Sequence, residues 1–194
     1  MLRVHLNKPP IIVAAEMEGF AIFERSYDLN IIGARNPLPR PNEFDDLLHV
    51  VHKHNDRWLE HIFPCTLDAG AHWLENPMRR GGTAALMHPH QYRSAFTFGS
   101  HRGEYPCLVQ AKKIPVWRDN NRNDEIDEFN EGEATAIQIH RASSGERSAL
   151  VNRWSAGCVV LQSEFGTFME LCRKQKVNRR GDKFSLTVLE GRYL

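Results

Sequence analysis

Two residues of this sequence, His140 and Cys158, can form a nucleophile and its base. A cysteine reacts as the thiolate, and a nearby histidine can accept the thiol proton. Gly157 precedes the cysteine, and a glycine there allows backbone amides to converge on a developing oxyanion. The residue types and their order therefore predict a cysteine site for acyl transfer. The alternative interpretation is that Cys158 is a small core residue and His140 a packing residue.

The segments around the two residues predict strands that would hold them close together. Residues 134–139 form a β-type run that ends beside His140, and the apolar run 159–161 follows Cys158. The intervening residues 141–153 are polar and contain a Ser-Ser-Gly sequence, which predicts a surface loop. Two strands joined in this way can bring an imidazole and a thiol to one edge of a sheet.

The segment from His140 to Leu161 resembles the active-site motif of the L,D-transpeptidase catalytic domain. In that family a histidine is followed, at about this spacing, by Ser-His-Gly-Cys, which matches Ser155, Gly157 and Cys158 here. The resemblance implies a sandwich-like β domain in which the cysteine attacks a carbonyl of a peptidoglycan stem peptide. It also implies that His140 deprotonates the thiol and that the carbonyl oxygen of Arg141 orients the imidazole ring.

Three positions depart from the family motif. Ala156 replaces its second histidine, Val160 replaces a polar residue, and Arg141 follows the first histidine. The form His-Arg with Trp-Ser-x-Gly-Cys, together with Tyr-Asp-Leu-Asn-Ile-Ile-Gly-Ala-Arg at 27–35, resembles a divergent branch found mostly in phage and prophage proteins. This second resemblance spans roughly residues 20–172 and implies a role in lysis.

Several residues near the motif are predicted to contact a substrate. By the resemblance, Arg93 or Arg102 would pair with a stem-peptide carboxylate, because a guanidinium binds carboxylates through two parallel hydrogen bonds. A surface salt bridge is the alternative for these arginines. Trp154 would form a wall of the site, or pack in the core. The full predicted substrate set is Ser155, Trp154, Arg102, Arg93 and His101.

Length and composition indicate one globular domain over residues 1–194, with its motif core at 134–162 and the segment 18–56 integral to it. The formal net charge of +1 gives no global basic field, so no nucleic-acid partner is predicted. No stretch approaches the ~18 consecutive apolar residues of a membrane span, and the start lacks a secretory signal pattern. We therefore expect no membrane partner, synthesis in the cytoplasm, and action on the wall after release or from a virion.

Periodicity predicts many short strands and two main helices, which indicates a mainly β or α+β fold. One helix is expected over residues 42–51, with a capping asparagine and an apolar stripe, and the other begins near Ser163. Strands are expected at the following ranges: 58–67, 84–87, 91–98, 105–116, 134–139, 159–161 and 184–189.

Two groups of side chains are of types that bind metal ions. Oxygen-bearing side chains at Asp119, Asn121, Asn123 and Asp127 alternate as in a calcium loop, but Asp124 stands where such a loop needs glycine, so a polar hairpin connection is favoured. His49 and His52 lack a zinc-hydrolase scaffold, and we expect them to be exposed on the first helix. No organic cofactor is implied; a bound Ca²⁺ would be structural.

The sequence thus predicts a cysteine peptidase or transpeptidase acting on peptidoglycan stem peptides, with Cys158 as nucleophile and His140 as general base. The other cysteines, Cys65, Cys107 and Cys172, show no disulfide spacing and are predicted to be core residues. The competing hypothesis is an inactive virion or wall-binding protein on the same fold, which the missing second histidine of the motif would suggest.

Overall fold

The structure is a computed structural model that describes residues 1–40, 42–145, 147–178 and 181–191. These residues form twelve strands and three helices. In chain order the elements are β1 (Leu2–His5), α1 (Pro10–Met17), β2 (Asn30–Arg35), β3 (Asp46–His54), β4 (Arg57–Thr66), α2 (Ala71–Glu75), β5 (Thr83–Ala85), β6 (His90–His101), β7 (Tyr105–Gln110), β8 (Ile114–Asp119), β9 (Asn130–Ala134), β10 (Gln138–Arg141), β11 (Val159–Leu161), α3 (Phe165–Val177) and β12 (Lys183–Glu190).

Eight of the strands close into a barrel. Neighbours pair in the order β4-β11-β10-β7-β6-β12-β2-β3, and the pairing of β3 with β4 completes the ring. Strand β1 adds to β4 outside the ring, and β5, β8 and β9 form a separate three-stranded sheet. Within the ring, β10 with β11 and β12 with β2 run parallel, and the other pairs are antiparallel.

Apolar side chains fill the inside of the barrel, and a second apolar cluster covers part of its outer surface. The main core contains four fully buried phenylalanines, Phe63, Phe96, Phe168 and Phe184, and α3 contributes its apolar face to this core. Outside the wall, α1 packs Ile11 and Ile12 in a second cluster with residues of β2, β3, β4 and β12. Because both faces of β2 are covered, every residue of that strand is buried.

Tight hairpins connect the long antiparallel strands. Asn55 and Asp56, between β3 and β4, both have positive φ, as a two-residue hairpin with the right-handed twist of the strands requires. Between β6 and β7, Arg102 and Gly103 have positive φ, and the Glu104 N–H donates to the His101 carbonyl oxygen. This second turn brings His101 and Arg102 close to the segment that carries His140.

The coarse fold class predicted from the sequence is confirmed, since the protein is mainly β with helices packed on the strands. The predicted sandwich is replaced by the closed ring and a small separate sheet. Strands β4, β6, β11 and β12 and helix α3 lie where periodicity predicts them. The predicted strand 105–116 is divided into β7 and β8, and α1 was not predicted. None of the helices in the described ranges is long and apolar enough to cross a membrane.

The helix predicted over residues 42–51 is wrong. Residues from Asp46 onward form β3. The carboxylate of Asp46, one of the acidic residues that suggested a helix start, instead accepts hydrogen bonds from the N–H groups of Asn36 and Leu67. His49 and His52 are buried, not exposed, and His49 bonds Glu60. Both faces of β3 are covered, so its apolar residues lack the alternation that distinguishes a strand from a helical stripe.

We expect Phe168→Ala to lower the free energy of unfolding by about 3–5 kcal/mol, because its ring is fully buried and contacts Phe63 edge to face. Val177→Ala, at the exposed end of the same helix, should change it by less than about 0.5 kcal/mol. Urea unfolding followed by circular dichroism measures both. Equal losses would show that α3 does not belong to the core.

Candidate active site

The parallel pairing of β10 with β11 determines which side chains share a face. Ile139 lies opposite Val159, and both are fully buried in the main core. Since side chains alternate along a strand, Gln138 and His140 point to the other face. Cys158 directly precedes β11 and continues the register beside Gln138. The sheet thus places Cys158, Gln138 and His140 on one face, outside the barrel core.

Cys158 is partly exposed in a cavity of about 330 Å³. Its Sγ accepts a hydrogen bond from the Gln138 N–H at 3.4 Å, and the thiol faces the Ala136 carbonyl oxygen at 3.9 Å. Burial raises the pKa of the Cys158 thiol to about 11, although the Gln138 N–H acts in the opposite direction. The resting group at neutral pH is therefore a thiol.

A tight turn presents the cysteine. Gly157 has a φ of +107°, and a Cβ there would clash with the Ala84 carbonyl oxygen, so only glycine fits. Ser155 is fully buried; its hydroxyl accepts from the Gly157 N–H at 3.2 Å and donates to the Cys158 carbonyl oxygen at 2.8 Å. Ser155 therefore shapes the turn instead of facing a substrate. Of the amides near Gly157 and Cys158 that were predicted to hold the oxyanion, the Gly157 N–H is already bonded.

His140 is buried, and its ring orientation is defined by its neighbours. Nδ1 lies 2.8 Å from the Arg141 carbonyl oxygen, which can only accept, so Nδ1 carries the proton and Nε2 is the basic nitrogen. The Tyr105 hydroxyl donates to the same carbonyl at 3.2 Å and lies 3.4 Å from Nδ1. The arrangement around Arg141 is the one that the family resemblance implied.

A second imidazole lies against His140. The rings of His101 and His140 stack with centroids 4.3 Å apart and an interplanar angle of 26°. Burial lowers the pKa of His140 to about 4, the bond to Arg141 acts in the opposite direction, and the neighbouring His101 and Arg102 lower it further. His140 is therefore a neutral imidazole at neutral pH and can act as a proton acceptor.

No hydrogen bond joins His140 to Cys158 within the part of the chain that the structure describes. From the strand spacing and rise, their Cα atoms are about 8 Å apart on a diagonal across the two strands. The thiol is turned toward the carbonyl oxygen of Ala136, which precedes β10, whereas His140 lies further along that strand. Rotation about the Cα–Cβ bond of Cys158 would direct the thiol toward His140, and catalytic contacts often tighten only when a substrate binds.

The cavity around Cys158 is strongly cationic. Four arginines line it, and no Asp or Glu stands among its described lining residues. Within the described ranges, none of the four forms a salt bridge. Burial and the nearby charge of Arg79 lower the pKa of Arg118. We refer to these residues as the arginine cluster: Arg79, Arg102, Arg118 and Arg153.

Of the five residues predicted to contact a substrate, Trp154 and Arg102 line the cavity, and His101 contacts His140. Arg93 lies elsewhere, with its guanidinium over the Phe23 ring. Sequence reasoning missed the cavity residues Gln138, Trp73, Arg79, Arg118 and Arg153, because strand pairing and loop packing, not local motifs, bring them to Cys158.

The predicted calcium residues form a polar turn. The Asp127 carboxylate accepts from the side-chain amides of Asn121 and Asn123, and Asp119 Oδ2 accepts from the backbone N–H groups of Asp127 and Glu128. Asp119 Oδ1 is buried and has no hydrogen-bond partner among the described residues. In the described part of the chain, no group of three or more His, Cys, Asp or Glu residues is placed to hold a metal ion.

We expect the alkylation of Cys158 by iodoacetamide to accelerate about tenfold per pH unit up to about pH 11, because the thiolate fraction grows as pH rises toward the thiol pKa. Mass spectrometry of the native protein should place the label on Cys158, since Cys65, Cys107 and Cys172 are buried. Cys158→Ala is the control. A rate that is already constant near pH 6 would instead reveal a resting thiolate paired with a protonated histidine.

We expect Gly157→Ala to destabilise the protein and displace Cys158, because alanine is strained at this φ and meets the Ala84 carbonyl oxygen. The expected loss is about 1–3 kcal/mol from the backbone conformation alone. Gly166→Ala in α3, where a Cβ meets open space, is the matched control and should not destabilise the protein. Thermal unfolding measures both variants, and equal melting temperatures would contradict the tight turn.

Comparisons with known proteins give no family assignment. The chain matches no protein-family model, no curated protein and no solved structure. The geometry around Cys158 and the resemblance of its sequence motif therefore carry the functional argument.

Proposed function

We propose that the protein is a cysteine-dependent enzyme that transfers or hydrolyses acyl groups of peptidoglycan stem peptides, as a wall-degrading enzyme of a phage or prophage. One observation carries the proposal: an accessible thiol stands in a cationic cavity, on the same sheet face as a neutral imidazole whose Nδ1 is bonded to the Arg141 carbonyl. This arrangement supplies a nucleophile, a base with a defined tautomer, and a charge suited to an acidic substrate.

The proposal includes a relationship to the L,D-transpeptidase catalytic domain. Its support is the order of the motif residues on adjacent parallel strands, with His140 on β10, Gly157 and Cys158 before β11, and the Arg141 carbonyl on the histidine. In this protein the strands form a closed ring with a small separate sheet, where the resemblance implied a sandwich.

The arginine cluster supports an acidic substrate. Stem peptides carry carboxylates, and guanidinium groups bind carboxylates through short, charge-assisted hydrogen bonds. Burial and the proximity of Arg79 both lower the pKa of Arg118, and an anion between the two arginines would relieve their repulsion. Trp154, which is 44% exposed, and Trp73 supply apolar surface for the rest of a peptide.

The proposed reaction starts from a neutral thiol and a neutral imidazole. The Cys158 thiol gives its proton to Nε2 of His140 while Sγ attacks the carbonyl carbon of the substrate. The carbonyl electron pair moves onto oxygen and forms a tetrahedral oxyanion. Collapse of this intermediate breaks the C–N bond, and the departing amine takes the proton from His140. Water or a second amine then attacks the thioester and releases Cys158.

A wall-binding protein without turnover is the second candidate. Two observations favour it: in the described structure His140 and Cys158 are not hydrogen-bonded, and the Gly157 N–H donates to Ser155. Such a protein would use the arginine cluster to bind stem peptides and leave them unchanged. The two candidates differ in one measurable property, which is whether a peptide bond is broken.

We expect purified muropeptides to be processed by the protein and not by Cys158→Ala or His140→Gln, with each substitution lowering the rate by at least about 1,000-fold. Mass spectrometry identifies the reaction: loss of a terminal residue indicates carboxypeptidase action, a joined dimer transpeptidation, and separated stems endopeptidase action. Cys172→Ala is the control for loss of a thiol, because that residue is buried in α3. Binding of muropeptides without any change in mass would favour the second candidate.

A further inference from the structure

Attack on a carbonyl requires hydrogen-bond donors for the oxygen that becomes negative. The sequence motif suggests the backbone amides near Gly157 and Cys158, and of these the Gly157 N–H donates to Ser155. A side-chain donor beside Cys158 would add to the backbone donors that remain. The cavity offers guanidinium groups and one neutral amide side chain, that of Gln138.

Gln138 is the neighbour of Cys158 across the parallel strand pair. The register that places Ile139 opposite Val159 aligns Gln138 with Cys158, and the Gln138 N–H contacts Sγ. Both residues line the same cavity. A carbonyl carbon bonded to Sγ would therefore hold its oxygen within reach of the Gln138 side chain.

The side-chain amide of Gln138 is oriented by its oxygen. Oε1 lies 2.6 Å from Nδ1 of His101, and the Cys107 thiol approaches the same oxygen at 3.9 Å. Within the described structure the Nε2 group of Gln138 has no hydrogen-bond partner in the protein. It is also not fully buried. The amide thus directs its acceptor to His101 and leaves its two N–H groups for a ligand in the cavity.

His101 itself is held on two sides. It is the last residue of β6, and the turn to β7 fixes its backbone. Its ring stacks on His140 at 4.3 Å and on Tyr105 at 5.2 Å. His101 therefore contacts the base through its ring face and Gln138 through Nδ1.

We propose that Gln138 is a catalytic residue whose Nε2 group donates a hydrogen bond to the oxyanion at Cys158, and that His101 is the positioning residue that aims this amide. The proposal rests on the acyl chemistry of the proposed function and is independent of the peptide substrate. When Sγ attacks, the carbonyl electron pair moves onto oxygen, the thiol proton passes to His140, and Nε2 donates to the new oxyanion. The protein is neither oxidised nor reduced. The leaving group departs with the electron pair of the bond that joined it to the carbonyl carbon.

The test compares two reactions of the same thiol. Acylation by p-nitrophenyl acetate forms a tetrahedral oxyanion, and the release of nitrophenolate reports its rate. Alkylation by iodoacetamide forms no oxyanion. In Gln138→Met, which keeps the side-chain length and removes the donor, we expect acylation to fall about 100-fold and alkylation to remain unchanged. Gln138→Ala gives a second variant should methionine disturb the fold.

Variants of His101 test the positioning role. His101→Phe keeps a ring on His140 but removes the Nδ1 donor, so acylation should fall by less than in Gln138→Met while alkylation is retained. His101→Asn restores an N–H donor near the position of Nδ1 and should recover much of the acylation rate. Gln162→Met is the matched control, because both ends of that amide are bonded by Arg147 and Ser148. It should leave the ratio of the two rates unchanged.

A selective loss of acylation in the Gln138 variants, with partial recovery in His101→Asn, supports the proposal. An equal fall of both rates would assign Gln138 to the fold or to the reactivity of the thiol, and unchanged rates would show that the oxyanion is stabilised elsewhere; either result overturns the proposal. Neither reagent contains a stem peptide. A selective effect combined with inactivity on muropeptides would therefore reject only the proposed substrate.

Discussion

The parallel pairing of β10 with β11 is the constraint on which the site depends. Opposite residues Ile139 and Val159 are sealed in the core, so Gln138, His140 and Cys158 must face the other way. A slip of one residue in β11 would exchange the faces of that strand and place the thiol among hydrocarbon side chains. The burial of Val159 and Leu161 opposes such a slip, because both side chains would leave the core.

Desolvation and charge act together on the two central groups. Burial favours the neutral forms of both the thiol and the imidazole, and Arg102 and His101 add to this effect on His140. A carboxylate bound at Arg102 would offset part of the positive field that lowers the pKa of His140. In the proposed reaction an acidic substrate would therefore strengthen the base, and the arginine cluster would link recognition to reactivity.

Local sequence signals predicted β11 and α3, because β11 is a β-branched apolar run and α3 has an apolar stripe. The strand predicted at residues 134–139 is interrupted, since β9 ends at Ala134 and β10 begins at Gln138 and contains His140. The signals failed at β3, where burial on both faces removes the alternation of a strand. The pair Cys158 and His140 could be found from residue type and spacing. Gln138 and Arg118 could not, because their nearness to Cys158 arises from strand register and from the packing of the three-stranded sheet. Ser155 belonged to the recognised motif, but its buried hydroxyl stabilises the turn.

The position of β12 has a consequence for biosynthesis. This strand, at residues 183–190, lies between β6 and β2 in the ring, and its partner β2 begins at residue 30. Until β12 has been translated, the sheet has a gap between β2 and β6. The edges of these two strands that face β12 stay unpaired. The ring can close only after β12 has emerged, so all the other strands of the ring are made before the ring is complete.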